Sequence, residues 1–253
     1  MELAPIVLVH GFIGSLDEPT ITAAFHPHPV FAPPLLGYGV HSEVDPSLIS
    51  LSAQAEHVAS AVLARFGTGT THLLGHSVGG AVAAITANTH PERIASLISV
   101  EGNFTLKDAF WSASVGRMSD AKASEMLAGF RADPAAWLLR SGVAATPQTT
   151  EIATRWLAQQ TSSTLRVVGR SVVETTGASD YQAMLRSVFA RTPVHLVAGE
   201  RTREGWDVPV WAEEQAASFT VLPKVGHLMR LEKPEEFGRL VTRAIASAGQ
   251  GQP

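Results

Sequence analysis

A serine stands between glycines in Gly75-His76-Ser77-Val78-Gly79. The segment follows an apolar run, Thr71–Leu74, and precedes an Ala-rich stretch, Gly79–Thr89. Glycine at Gly75 and Gly79 removes side chains that would collide in a tight strand-to-helix turn, and such a turn thrusts the serine hydroxyl out above a sheet. The helix N-terminus behind it favours developing negative charge. A serine hydroxyl is a weak nucleophile until a base accepts its proton, and histidine is the side chain that titrates near neutrality. Among ten histidines, position singles out His227: Val225-Gly226-His227 follows the last apolar run and precedes the C-terminal helical stretch. Most of the rest read as bystanders: His26 and His28 in a Pro-rich loop, His57 on a helix face, His90 after a helix, His195 inside a strand, His10 in the core and His76 within the turn. Acyl transfer also needs two backbone N–H donors to hold an oxyanion. Val78, directly after Ser77, offers one. Phe12, in the loop His10-Gly11-Phe12 after the first apolar run, offers the other, and its ring would line the pocket.

These residues need elements to position them. Ile6–Val9, Val30–Ala32, Thr71–Leu74, Ala95–Val100, Val194–Ala198 and Phe219–Leu222 are short, largely apolar runs without strict alternation, as strands buried on both faces should be. Helical spacing appears in Ser50–Phe66, Gly79–Thr89 and Pro234–Ala248. The alternation predicts an α/β fold, a mostly parallel sheet with helices on both faces. It stops between residues 103 and 191, where helical stretches replace strands: Asp108–Ser114, Ser119–Arg131, Pro134–Arg140, Thr149–Gln160 and Asp180–Ala190. About 90 residues is too long for one crossover, so the segment reads as an inserted helical cap on a core formed by residues 1–102 and 192–253. Its large residues Phe104, Phe110, Trp111, Met118, Trp137, Trp156 and Met184 are the set from which an acyl pocket could be lined, while most of them are expected to pack the cap onto the body. Phe104, Trp111 and Trp137 are, with Phe12, the candidates for substrate contact.

Composition bounds the partners. Across 253 residues, Lys+Arg is 19 and Asp+Glu is 23, a net charge of −4, which argues against a nucleic-acid binder. Residues 103–191 hold 10 basic and 7 acidic side chains, a local excess of +3. There are no cysteines, which removes disulfides, thiolate metal sites and cysteine nucleophiles. His26 and His28 lack a third ligand, so no metal is expected. No basic-then-apolar leader and no membrane-spanning run is present; a soluble cytoplasmic protein is expected, with oligomeric state open. The tail Gly249–Pro253 reads as disordered.

The order His10-Gly11, Gly75–Gly79, Gly226-His227 resembles the α/β-hydrolase superfamily over nearly the whole chain. The resemblance implies a Ser-acid-His triad, an oxyanion hole at Phe12 and Val78 and a helical cap, with a chain that starts at what is usually the third strand. Ser77 sets the chain apart from haloalkane dehalogenases and epoxide hydrolases, which carry a carboxylate nucleophile at this turn. The acid departs from the pattern. The family's usual aspartate follows the strand that returns from the cap, and there this chain reads Gly199-Glu200-Arg201-Thr202, with Thr202 at the aspartate's place. A second solution puts the acid after the strand before the cap, and Glu101-Gly102 stands there. Glu101 is therefore the expected acid, with Asp207 and Glu204 as alternatives. The expected chemistry is cleavage of an ester, lactone or related acyl bond of a small apolar substrate through an acyl-enzyme, with no cofactor. The alternatives are a carbon–carbon bond hydrolase or lyase, a thioesterase serving a carrier protein, and a low-turnover ligand sensor.

Overall fold

The computed structural model describes residues 3–248; the tail Gly249–Pro253 lies outside the described residues. Six strands form one sheet: β1 (Ile6–Val9), β2 (Val30–Phe31), β3 (Thr71–His76), β4 (Ile94–Val100), β5 (Val194–Gly199) and β6 (Ser218–Leu222). Their order is β2-β1-β3-β4-β5-β6, and every pairing is parallel. All four residues of β1 and all six of β5 are buried. Consecutive burial of this kind is what a strand covered on both faces shows. The six apolar runs all form strands, with β3 continuing to His76 and β5 to Gly199. Because β3, β4 and β5 are parallel neighbours, the residues just beyond their C-terminal ends open along one edge, where parallel α/β sheets place their sites. Ser77, Glu101 and the turn at 200–202 all sit on that edge.

Helix α1 (Leu51–Phe66) starts where the Ser50 hydroxyl accepts the Ala53 amide at 3.1 Å, a standard N-cap. Helix α2 (Val78–Thr89) begins immediately after Ser77. Six helices separate β4 from β5: α3 (Phe110–Gly116), α4 (Asp120–Ala132), α5 (Pro134–Arg140), α6 (Pro147–Ala158), α7 (Ser162–Thr176) and α8 (Tyr181–Arg191). A short helix, Val210–Gln215, links β5 to β6, and α9 (Pro234–Ala248) closes the described chain. Helices α1 and α8 pack against α2, while α9 packs on the turn at 23–25 and on β6.

Helix α7 is absent from the sequence reading. Its β-branched residues disfavour an isolated helix, but Leu165, Val168 and Val172 are buried along one stripe. The Thr161 hydroxyl caps it by accepting the Thr164 amide at 3.1 Å. That cap together with the i, i+3, i+7 spacing was the available signal. One hydrophobic cluster runs from Ile6 and Leu73 in the sheet to Leu138, Trp156 and Leu165 in the helical segment. No described helix is long and apolar enough to cross a membrane.

Candidate active site

Ser77 sits at the β3–α2 junction with φ 55° and ψ −126°, a conformation that a residue with a Cβ rarely adopts. The neighbours that allow it have no room for side chains. A Cβ on Gly79 would lie 2.3 Å from the carbonyl oxygens of Val9 and His10, and one on Gly75 would lie 2.3 Å from the Gly79 carbonyl oxygen. The turn is tied to β4 by the Ser77 amide, which donates to the Val100 carbonyl at 3.0 Å. The Ser77 hydroxyl makes no hydrogen bond among the described residues. In resting enzymes such contacts are often open and tighten only around substrate.

Glu101 also has a positive φ, 43°. The turn after it is held by the Trp206 indole, which donates to the Gly102 carbonyl at 2.6 Å. One Glu101 oxygen meets His227 Nδ1 at 2.5 Å. The other accepts the Gly199 amide at 2.8 Å and the Thr202 hydroxyl at 2.6 Å. Thr202, at the position where the family resemblance leads one to expect an aspartate, is thus a donor to the Glu101 carboxylate. Burial by itself would push the Glu101 carboxyl up. The hydrogen bond and charge of His227, with the bonds from Thr202 and Gly199, outweigh burial and hold it below its ordinary value.

The alternative acids lie elsewhere. Asp207 accepts the Thr105 hydroxyl at 2.7 Å and pairs with Lys107 at 3.3 Å. Glu204 is exposed and makes no contact with His227. The physical reason is topological: the turn after β5 folds back toward Thr105 and Lys107, so Asp207 faces the start of the helical segment.

Phe12 and Val78 line the same cavity as Ser77, Glu101 and His227. Neither amide donates a hydrogen bond among the described residues. The Phe12 loop is fixed from behind by the Tyr38 hydroxyl, which donates to the Phe12 carbonyl at 2.9 Å. The cavity holds about 750 Å³. Trp111 and Trp137 both line it, and Trp111 meets the Phe12 ring edge-on at 5.1 Å. Phe104 does not line it. It is 3% exposed and packs against Trp206 and Phe189, so the expectation of substrate contact is corrected. Its chain position after β4 directs it under the helical segment rather than over the sheet edge. The sequence reading did not assign Phe130 or Trp206 to the pocket, yet both line it, as does 75%-exposed Phe110.

Two histidines flank the site without joining the Glu101 pair. His10 is buried against Tyr38, and burial pushes it down to about 4, opposed by its bond to the Gly11 carbonyl. His76 stacks beside His227 at 4.5 Å between ring centres. Burial first, then the charges of Arg230 and His227, push His76 well below its ordinary value. The described residues contain no cluster of His, Cys, Asp and Glu suited to a metal.

A model of the alpha/beta hydrolase family matches residues 6–240. Lipase 3 of Moraxella sp. (strain TA144) is 33% identical over 112 residues, which are 44% of this chain and 34% of that protein. The chain thus spans about a third of the length of that curated relative. A thermophilic esterase from Thermogutta terrifontis, solved with malate bound, superposes with a TM-score of 0.68 at 24% identity, covering 98% of this chain and 91% of that one. A haloalkane dehalogenase variant from Bradyrhizobium elkanii superposes at 0.72 with 21% identity, over 99% and 92% of the two chains. Likeness at these identities speaks to fold.

Proposed function

The chain belongs to the alpha/beta hydrolase family, and from that premise we propose that it is a serine hydrolase cleaving an ester, lactone or related acyl bond of a small, largely apolar substrate. The observation that carries the reading is the 2.5 Å contact between His227 Nδ1 and Glu101 in the cavity that Ser77 lines. An ionised carboxylate there keeps the proton on Nδ1 and leaves Nε2 free to accept one.

Ser77 attacks the carbonyl carbon while His227 Nε2 takes the hydroxyl proton. The carbonyl oxygen becomes an oxyanion held by the free amides of Phe12 and Val78, reinforced by the N-terminus of α2. His227 returns the proton to the departing alcohol as the carbon–oxygen bond breaks, leaving an acyl-Ser77 ester. Water, deprotonated by His227, repeats the sequence and releases the acid. Glu101 offsets the imidazolium charge in both halves. Residues 103–191 serve as a cap whose Trp111 and Trp137, with Phe12, shape the acyl pocket.

A fluorophosphonate probe and a set of para-nitrophenyl esters test the scheme. The probe should label Ser77, and Ser77→Ala should lose both labelling and turnover, by roughly 10³-fold or more. Full activity in Ser77→Ala, or labelling at another serine, would remove the mechanism.

A further inference from the structure

Two acidic side chains line the cavity, and both are committed. Glu101 serves His227, Thr202 and Gly199. Asp108 accepts the amides of Phe104, Thr105 and Asp207 at 2.9, 3.1 and 2.8 Å. Three arginines also line the cavity. Arg201 is paired with Glu232 at 2.6 Å. Arg140 and Arg230 form no ion pair among the described residues. Arg140 lies over the Phe130 ring at the exposed end of α5.

Arg230 is the unusual one, because it is 1% exposed. Its Nη1 meets His76 Nε2 at 2.8 Å and the His227 carbonyl at 3.5 Å, and its guanidinium lies 5.1 Å from the Trp156 ring centre. Its Nε is buried with no hydrogen-bond partner. None of those partners carries a negative charge: a histidine ring that also meets the His227 carbonyl at 2.9 Å, that carbonyl itself, and an aromatic face. Burial pulls the guanidinium down to about 9, and the charge of nearby Glu101 only partly opposes it. A buried cation without a hydrogen-bonded counterion is costly to a fold, and in a chain of net charge −4 the free charge of this cavity is positive. Large apolar side chains, Phe12, Trp111, Phe130 and Trp137, form much of the remaining wall, beside neutral polar ones such as Asn103 and Ser141. A ligand that completes the cavity has an apolar body and an anionic group.

We propose that the substrates of this site carry a free carboxylate besides the scissile carbonyl, and that Arg230 is its buried ligand, with Arg140 adding positive charge at the rim. The proposal rests on the serine-hydrolase reading for the reaction but not for the binding. Guanidinium groups suit carboxylates because their paired N–H donors match the two oxygens.

Two matched ester pairs test it: para-nitrophenyl hemiglutarate against its methyl ester, and para-acetoxybenzoate against its methyl ester. Between them they place the carboxylate on the acyl side and on the leaving-group side. In at least one pair kcat/KM should favour the anion by about tenfold or more, the size of one charge-assisted hydrogen bond. Arg230→Gln should bring that ratio close to one. An arginine that merely held the His227 loop would change both members of a pair equally, leaving the ratio intact, and that result overturns the proposal. Equal rates for wild type in both pairs also overturn it. Calorimetry on Ser77→Ala separates binding from chemistry and does not depend on the Arg230 variant folding. N-phenylglutaramic acid should bind at least tenfold tighter than its terminal amide, and equal affinities refute the site. If no ester is turned over yet the acid binds selectively, the hydrolase reading fails while the anion site stands.

Discussion

Replacing Glu101 by Gln changes one oxygen to an NH₂ group and removes one charge. Gln keeps an oxygen for the Gly199 amide and the Thr202 hydroxyl, which now sit at 2.8 and 2.6 Å. Its NH₂ then faces His227 Nδ1, where the carboxylate stood at 2.5 Å. An amide N–H donates, so Nδ1 must become the acceptor and the ring proton moves to Nε2. A ring in that tautomer has no lone pair for the Ser77 proton. The charge counts as well. With charge centres about 4 Å apart and an effective dielectric near 20, a carboxylate stabilises an imidazolium by about 4 kcal/mol. That corresponds to roughly 10³ in rate, and the tautomer penalty adds to it, so kcat should fall by about 10³ to 10⁴. Initial rates on a para-nitrophenyl ester at pH 7.5, with the thermal transition as a control for folding, measure this. Thr202→Val removes one donor to the carboxylate and should cost only about tenfold. Asp207→Asn, whose carboxylate serves Thr105 and Lys107, should stay within about threefold of wild type. A crippled Asp207→Asn beside a mild Glu101→Gln would refute the assignment of the acid.

Three further outcomes follow from the same geometry. Ser77→Ala should abolish fluorophosphonate labelling while leaving the thermal transition near that of wild type, because the glycines that permit the turn are untouched. Trp111→Ala removes the edge-on partner of Phe12 and should shift selectivity between acetyl and octanoyl esters by about 1–3 kcal/mol; an unchanged chain-length profile would reduce Trp111 to a packing residue. Burial lowers His10 and His72 to about 4, with the Gly11 bond opposing at His10 and the His28 and His195 charges adding at His72. Both stay neutral in the fold while the unfolded chain takes up protons below about 6.5. Their contribution is therefore complete above that pH and lost as pH falls toward 4. Urea midpoints at pH 7.5, 6 and 5 should fall stepwise, and His72→Gln should flatten the decline; an equal decline in that variant would exclude His72 as a contributor.

The sheet was legible in the sequence because strands buried on both faces are rich in apolar residues on consecutive positions, as in Ile6–Val9. The elbow was legible because only a Gly-x-Ser-x-Gly segment tolerates the crowding found around Gly75 and Gly79. His227 was legible from its place between the last strand and the last helix. For the acid the sequence favours Glu101 and keeps Asp207 and Glu204 as alternatives, since contact with His227 depends on how β4 and β5 lie side by side and where the turn after β5 folds. Helix α7 escaped because β-branched residues carry a weak local signal that packing overrides. Phe104, in the loop after β4, and Trp111, at the start of α3, are both aromatic, and nothing local separates the one that packs beneath the helices from the one that faces the cavity. Arg230 gave no sign at all: in Met229-Arg230-Leu231-Glu232 it reads as a surface residue. Only the fold brings His76, His227 and Trp156 around it, because burial is set by residues far apart in the chain.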